Sequence, residues 1–324
     1  MSEYLKPPFN VAFTGSSFMG ALNAGSAQCL LDHGRDVSKD VQAYGGVSSG
    51  SLIAAIMAIA PNRLQDFLRS VHRMAEDISQ LPSGALSKGY DMIVSLRNVL
   101  TELLPEDCHE KASGMLFLCF SELIPVDPYA PLTTHDVDQG TSSSVFTRGP
   151  KRFQVGPYYW QLGERMIASH YASKNELIET LLGCIYVPWF EGWQPPAING
   201  RYMVDGSLSH RANLPEEVQF PFPPGKLIRI HPNPKNHAKM RDKIAVGWVD
   251  TSGQRFDISP LHMFRVGDGL FAPPQGNLEA YYVHGYEDAT SFLKFYHSYE
   301  ENSTGLNPRK TQYAAIHSIA DLAP

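Results

Sequence analysis

A glycine-flanked serine, Gly46-Val47-Ser48-Ser49-Gly50, stands directly between a strand-like and a helix-like segment. Few folds accept that arrangement. Val41-Gln42-Ala43-Tyr44 reads as a strand, and Ser51 to Ala60 is apolar on every face, as a fully buried helix is. A sharp strand-to-helix turn lifts a serine hydroxyl clear of a sheet, and its crowded backbone tolerates almost no side chain beside the serine. Gly46 and Gly50 meet that demand, which makes Ser48 a candidate nucleophile and the fold class α/β. The pentapeptide alone also occurs in ordinary loops, so its context carries the weight.

Near the N-terminus, Phe9-Asn10-Val11-Ala12-Phe13-Thr14 reads as a buried strand, followed by Gly15-Ser16-Ser17-Phe18-Met19-Gly20 and a helical stretch from Ala21 to His33. Small residues in such a loop leave backbone N–H groups free at the positive end of a helix. These donors suit an oxyanion, either a phosphate or the tetrahedral intermediate of acyl transfer. No Gly-Lys-Ser/Thr follows, and glycines at 15 and 20 do not make G-x-G-x-x-G, so phosphate-loop and dinucleotide readings both fail in detail. Further on, Asn199-Gly200 predicts a tight hairpin, and Arg201-Tyr202-Met203-Val204 a strand that ends at Asp205-Gly206. An aspartate there can point into the crevice that holds Ser48, although an isolated Asp-Gly is ordinarily a solvated turn.

These segments, in this order, resemble the patatin-like phospholipase family, and within it the adiponutrin and adipose triglyceride lipase branch. Leu104 to Gly114, Ser173 to Ile178, Val187-Pro188 and Gly285 to Leu293 extend the likeness. The resemblance implies a three-layer α/β/α sandwich with a mostly parallel central sheet, a catalytic domain over residues 10–215 after a tail of residues 1–9, and an extension over 216–324 packed on the same domain. It implies a Ser-Asp dyad of Ser48 and Asp205, an oxyanion loop of Gly15, Ser16 and Ser17, and hydrolysis of lipid acyl esters such as triacylglycerol or phospholipid. A transacylase, or an inactive lipid-surface regulator on the same fold, is the alternative. The family commonly carries glycine where this chain has Ser17 and Ser207. A Cβ at position 17 is strained wherever φ is positive. His210 is the histidine near enough in sequence to Asp205 to serve as base in a three-residue triad instead.

With 324 residues, 43% of them hydrophobic and 19% charged, the chain can bury a large core. A net charge of -6 without a dense Lys/Arg run argues against a nucleic-acid partner. Cys29, Cys108, Cys119 and Cys184 are dispersed and are expected as buried free thiols. His-Glu-x-x-His is absent and His231, His237, His262, His284 and His297 lie far apart, so neither a metal nor a cofactor is expected. The N-terminal residues hold no apolar signal core, and the run from Leu52 to Ala60 is too short to span a bilayer. Together with the family resemblance this implies a cytoplasmic protein in peripheral contact with a lipid droplet or membrane, with a protein co-activator left open. Trp189-Phe190-Glu191-Gly192-Trp193 is the candidate contact, since aromatic rings favour the boundary between water and lipid.

Elsewhere, strands are expected at Met115 to Phe120, Arg152 to Val155, Arg165 to Ser169 and Lys226 to His231. Helices are expected at Asn62 to Ile78, Tyr90 to Leu104 and Asn175 to Leu182, with helical period from Pro260 to Tyr299. Leu278, Tyr281, Tyr282 and Tyr286, then Phe292, Phe295 and Tyr296, recur at helical steps and read as core. The Thr-, Ser- and Pro-rich stretch from Pro125 to Pro150 reads as a surface loop or insertion, open to a lid role.

Overall fold

A computed structural model describes residues 5–15, 17–83, 87, 90–127, 152–155, 157–188, 194–208, 220–231, 255–258, 273 and 275–301. The chain begins with β1 (Phe9–Phe13), buried throughout, then a 3-10 turn (Ser17–Met19) and helix α1 (Gly20–His33). After α2 (Arg35–Ser38) and β2 (Val41–Val47) come α3 (Ser49–Ile59), α4 (Leu64–Ser79), α5 (Met92–Leu103) and α6 (Cys108–Ala112). Strands β3 (Leu116–Pro125), β4 (Arg152–Val155) and β5 (Tyr158–Ala168) precede α7 (Lys174–Ile185). The hairpin of β6 (Ala197–Ile198) and β7 (Arg201–Asp205), strands β8 (Lys226–Ile230) and β9 (Arg255–Ile258), and helix α8 (Gln275–Phe295) complete the order.

Among the described residues, nine strands form one sheet in the order β4-β5-β3-β2-β1-β8-β9, with β7 also on β3 and β6 on β7. The stretch from β3 through β2, β1 and β8 to β9 is parallel, and helices join β1 to β2 and β2 to β3 as parallel pairing requires. Beyond β3 the pairing turns antiparallel. Adjacent residues of β2 meet opposite layers. A Cβ on Gly46 would strike Ser51 of α3 at 2.3 Å, whereas one on Gly45 would reach the rings of Phe222 and Phe220 at 2.7 and 2.9 Å. The apolar α3 is accordingly buried along nearly all of its length, with Leu52, Ile53, Ala54, Ala55 and Ile56 in the core. Helix α4 instead buries one stripe, Leu64, Phe67, Leu68, Met74, Ala75 and Ile78. Polar caps start two helices: Asp91 accepts from the N–H of Val94 at α5, and Ser173 from that of Glu176 at α7.

The C-terminal helix is locked onto α1 by close backbone approach. A Cβ added at Gly25 would lie 2.0 Å from the carbonyl oxygen of Tyr282, and one at Gly285 would lie 2.0 Å from that of Leu22. The Ser26 hydroxyl donates to the carbonyl of Gly285 at 2.9 Å, and the Tyr286 hydroxyl to Asp32 at 3.0 Å. Of the aromatic stripe, Leu278, Tyr281, Tyr282, Tyr286 and Phe292 on α8 and Tyr296 just past its end are buried as expected, but Phe295 is half exposed.

Several boundaries differ from expectation. Strand β3 runs to Pro125 rather than Phe120, because Ser121 and Glu122 take sheet positions between β5 and β7. Strand β5 starts at Tyr158, well before Arg165. The helix expected at Asn62 to Ile78 divides into a 3-10 turn (Pro61–Arg63) and α4. Helix α8 ends at Phe295, where His297 adopts a φ of 55°. Residues 128–150 of the proposed insertion, the Trp189 to Trp193 segment and residues 260–271 lie outside the described residues.

Candidate active site

The sheet register brings two distant chain segments end to end. Strand β2 runs parallel to β3 until Val47 lies opposite Cys119. Strand β5 occupies the other edge of β3, so β7 continues on the edge that β2 has left, in the opposite direction, and ends with Asp205 opposite Phe120. The C-terminal ends of β2 and β7 therefore converge at neighbouring positions of β3. Ser48 follows one end directly, and Asp205 forms the other.

Ser48 sits half-buried at the start of α3 with φ 54° and ψ -137°, a conformation that L-residues rarely adopt. The flanking glycines are required by contact. A Cβ on Gly50 would meet the carbonyl oxygen of Phe13 at 2.4 Å, and Gly46 is already pressed against Ser51. This turn therefore holds the serine in strain while the glycines let strand and helix close around it. Comparing Ser48→Gly with Ser48→Ala isolates that strain, because both lose the hydroxyl. The glycine variant is expected to be the more stable by about 1 kcal/mol, reversing the usual advantage of alanine over glycine. Equal or lower stability of the glycine variant in urea melts would contradict it.

Asp205 is 2% exposed. Burial pushes its carboxyl above the usual carboxylate range, and hydrogen bonds from Ser48, the Ser207 N–H and the Ser207 hydroxyl draw it back part of the way. The Ser207 N–H donates to Oδ1 at 2.8 Å. A carboxylate so placed accepts a proton more readily than a solvated one.

Gly15 abuts the serine, since an added Cβ would lie 2.5 Å from Ser48 Cβ and 3.2 Å from Ser48 Oγ. Ser17 has a φ of 50°, the left-handed region in which a side chain costs roughly 1–3 kcal/mol. Ser16 lies outside the described residues, as does His210. Thr14, just before this loop, is held from both sides: its N–H donates to the carbonyl of Ile230, and its own carbonyl accepts from Asn23 of α1 at 2.8 Å. Asn23 escaped the sequence reading, although an asparagine in the first turn of a helix, set among Gly20, Ala21, Leu22, Ala24 and Gly25, is the signal that could have found it. Ser207 escaped in its role as an Asp205 partner.

A cavity of about 470 Å³ borders β3 and β7, lined in part by Phe120 and Met203 with Glu122, Glu176 and Arg201. All four cysteines are buried and free. Among the described residues, no group of three or more His, Cys, Asp or Glu could hold a metal ion, and no helix is long and apolar enough to cross a membrane.

The chain is similar to several known proteins. Human patatin-like phospholipase domain-containing protein 4 is 26% identical over 286 residues, covering 88% of this chain and 96% of that protein. Mouse omega-hydroxyceramide transacylase is 23% identical over 287 residues, 89% of this chain, which spans only 41% of that longer protein. The structure of VipD from Legionella pneumophila aligns over 91% of this chain and 68% of that one, at 11% identity and a TM-score of 0.36. A family model for patatin-like phospholipase matches residues 12–218, from β1 past the end of β7, and the chain thus belongs to the patatin-like phospholipase family.

Proposed function

We propose that the protein is a serine lipid acyl hydrolase that cleaves carboxylic esters of triacylglycerol or phospholipid. The observation that carries this reading is the meeting of two strand ends, which sets Ser48 in its strained turn beside a buried Asp205 whose carboxyl is raised by burial. Ser48 Oγ attacks the ester carbonyl and Asp205 takes its proton. Backbone amides of the loop from Gly15 to Ser17 hold the oxyanion, and the leaving alcohol recovers the proton from Asp205. Water then attacks the acyl-enzyme and gives a proton to the same carboxylate, which passes it to Ser48 Oγ as the acyl bond breaks, freeing the fatty acid and restoring both side chains. An alcohol in place of water would make the enzyme a transacylase, a reading favoured by the name of the mouse relative. The positive φ of Ser17 favours a slow or inactive lipid-surface regulator as a further reading. Membership of the adiponutrin and adipose triglyceride lipase branch belongs to the hydrolase reading.

A fluorophosphonate separates the catalytic readings from the inactive one. Covalent labelling of the wild type, absent in Ser48→Ala, is expected; a folded sample that resists labelling would sink the hydrolase and transacylase readings together. Emulsified triacylglycerol and phospholipid, with and without an alcohol acceptor, then separate hydrolysis from acyl transfer.

Peripheral contact with a lipid droplet or membrane, from the cytoplasmic side, is part of the same reading. Strand β3 runs on past Phe120 to Pro125, about 17 Å at the usual strand rise, beyond the end of β2 where the dyad lies. Around that projecting tip Ile124, Tyr158 and Tyr159 are 39%, 56% and 36% exposed. Ligands of open parallel sheets approach from the C-terminal strand ends, so a lipid surface presented to Ser48 would meet these side chains. Ile124→Ser with Tyr158→Ser is expected to lower activity on an emulsion about tenfold, given the apolar area removed, while leaving a water-soluble short-chain ester unaffected. Unchanged activity on the emulsion would remove the tip from the docking surface.

A further inference from the structure

The loop beside Ser48 begins at a peptide group gripped by a side chain. Asn23, in the first turn of α1, is completely buried. Its Nδ2 donates to the carbonyl of Thr14 at 2.8 Å, while its Oδ1, equally buried, has no hydrogen-bond partner among the described residues. An amide so placed adds little stability, because desolvation of the idle oxygen offsets what the single bond contributes. What the bond secures is direction. The Thr14–Gly15 peptide is trans, so its carbonyl and its N–H lie in one plane and point opposite ways. Besides Asn23, the carbonyl lies against Gly50, where an added Cβ would stand 2.7 Å from it. The Gly15 N–H therefore points away from Asn23 and Gly50, and it makes no hydrogen bond among the described residues. Gly15 itself abuts the nucleophile, an added Cβ lying 3.2 Å from Ser48 Oγ. On the strand side, the Thr14 N–H is held by the carbonyl of Ile230 at 3.0 Å. Rotation about the Thr14 Cα–C bond is what remains for Asn23 to stop.

From this we infer that Asn23 is a positioning residue for the oxyanion donor: by holding the Thr14 carbonyl it stops the Thr14–Gly15 peptide from turning, and so keeps the Gly15 N–H aimed beside Ser48, where charge develops on the substrate. This role rests on the acyl-hydrolase reading above. Both half-reactions need it. Attack by Ser48 Oγ on the ester, and attack by water on the acyl-enzyme, each push the carbonyl electron pair onto oxygen, and an N–H of fixed direction holds that alkoxide more strongly than the neutral ester. Without the Asn23 donor the peptide is free to turn, and the alignment is lost where it matters most, in the transition state. Binding of the ester, which depends on apolar contact, is little altered.

The test measures kcat and KM on a water-soluble short-chain ester, with thermal melts, in the full chain for the wild type, Asn23→Leu and Ser26→Ala. Leucine is close to asparagine in size and cannot donate. Ser26→Ala removes a matched bond, from the same helix to the carbonyl of Gly285, and serves as the control for loosening of α1. In Asn23→Leu, kcat is expected to fall about 100-fold with KM held within about threefold. Its melting temperature should stay within about 4 °C of the wild type, since an unmatched Thr14 carbonyl replaces an unmatched Asn23 oxygen. Ser26→Ala should keep kcat within a few-fold. Wild-type kcat in Asn23→Leu overturns the inference, as does a loss that falls on KM alone, or an equal loss of kcat in Ser26→Ala. Should Asn23→Leu fail to fold, Asn23→Ala removes the donor without adding bulk and is read in the same way. If the folded wild type neither turns over the ester nor takes a fluorophosphonate, the hydrolase reading falls and the inference with it, whereas an active wild type matched by Asn23→Leu overturns Asn23 alone.

Discussion

Ser48→Ala and Asp205→Asn are each expected to lower turnover of emulsified triacylglycerol or phospholipid by about 10⁴-fold or more. The two losses should not add, because nucleophile and base act as one unit and removing either leaves the other without a task. Stability should respond in the opposite sense for the aspartate. Burial raises the folded-state carboxyl above its unfolded value of about 3.9. Below that value both states are protonated; as pH rises through it the unfolded chain ionises first, and folding loses stability until the folded carboxyl also ionises. Asparagine never ionises, so Asp205→Asn should melt at a higher temperature than the wild type at pH 7, with the gap closing in acid below about pH 4. Kinetics on both single variants and the double, together with melts at several pH values, check the set. Retention of full turnover by Asp205→Asn would remove Asp205 as base.

The second large effect is expected far from the dyad. Gly285→Val and Gly25→Val each drive a side chain into a helix backbone that an added Cβ already reaches at 2.0 Å. Because the obstructing atoms are carbonyl groups rather than the ends of flexible side chains, relief requires α1 and α8 to move apart. That separation loosens the buried contacts of Leu22, Tyr282 and Phe292 and breaks the bond from Ser26 to Gly285. A cost of about 3 kcal/mol is expected for each variant. A variant that folds should also lose activity, since α1 carries Asn23 and the Gly15 loop that abuts Ser48. Denaturant melts check the first expectation and fluorophosphonate labelling of the folded fraction the second. A wild-type melting midpoint would mean that the helices yield more easily than their geometry implies.

Local chemistry made the elbow legible in the sequence. Glycines on both sides of a serine, a strand before and an all-apolar helix after, leave little other than a tight turn, and the structure places Ser48 in one. The Asn199-Gly200 hairpin and the end of its second strand were legible for the same reason, as turn chemistry is local. The pairing that seats Asp205 beside Val47 was not. It depends on β3 continuing past Phe120, through Ser121 and Glu122, and nothing local says which edges a strand will offer its partners. Gly25 and Gly285 were equally silent. Each looks like an ordinary helix-weakening residue until the opposing backbone is seen at its Cα.

The clamp between α1 and α8 bears on how the molecule comes into being. Strand β1 is paired on one side with its near neighbour β2 and on the other with β8, more than 200 residues away, and α1 waits for a helix that ends at Phe295. Contacts at such separation form late, because loop closure must be met before they repay it. A growing polypeptide would hold Ser48 and Asp205 well before it holds the helix that steadies the loop beside them. The loop beside Ser48 would then gain its final support only when α8 docks on α1.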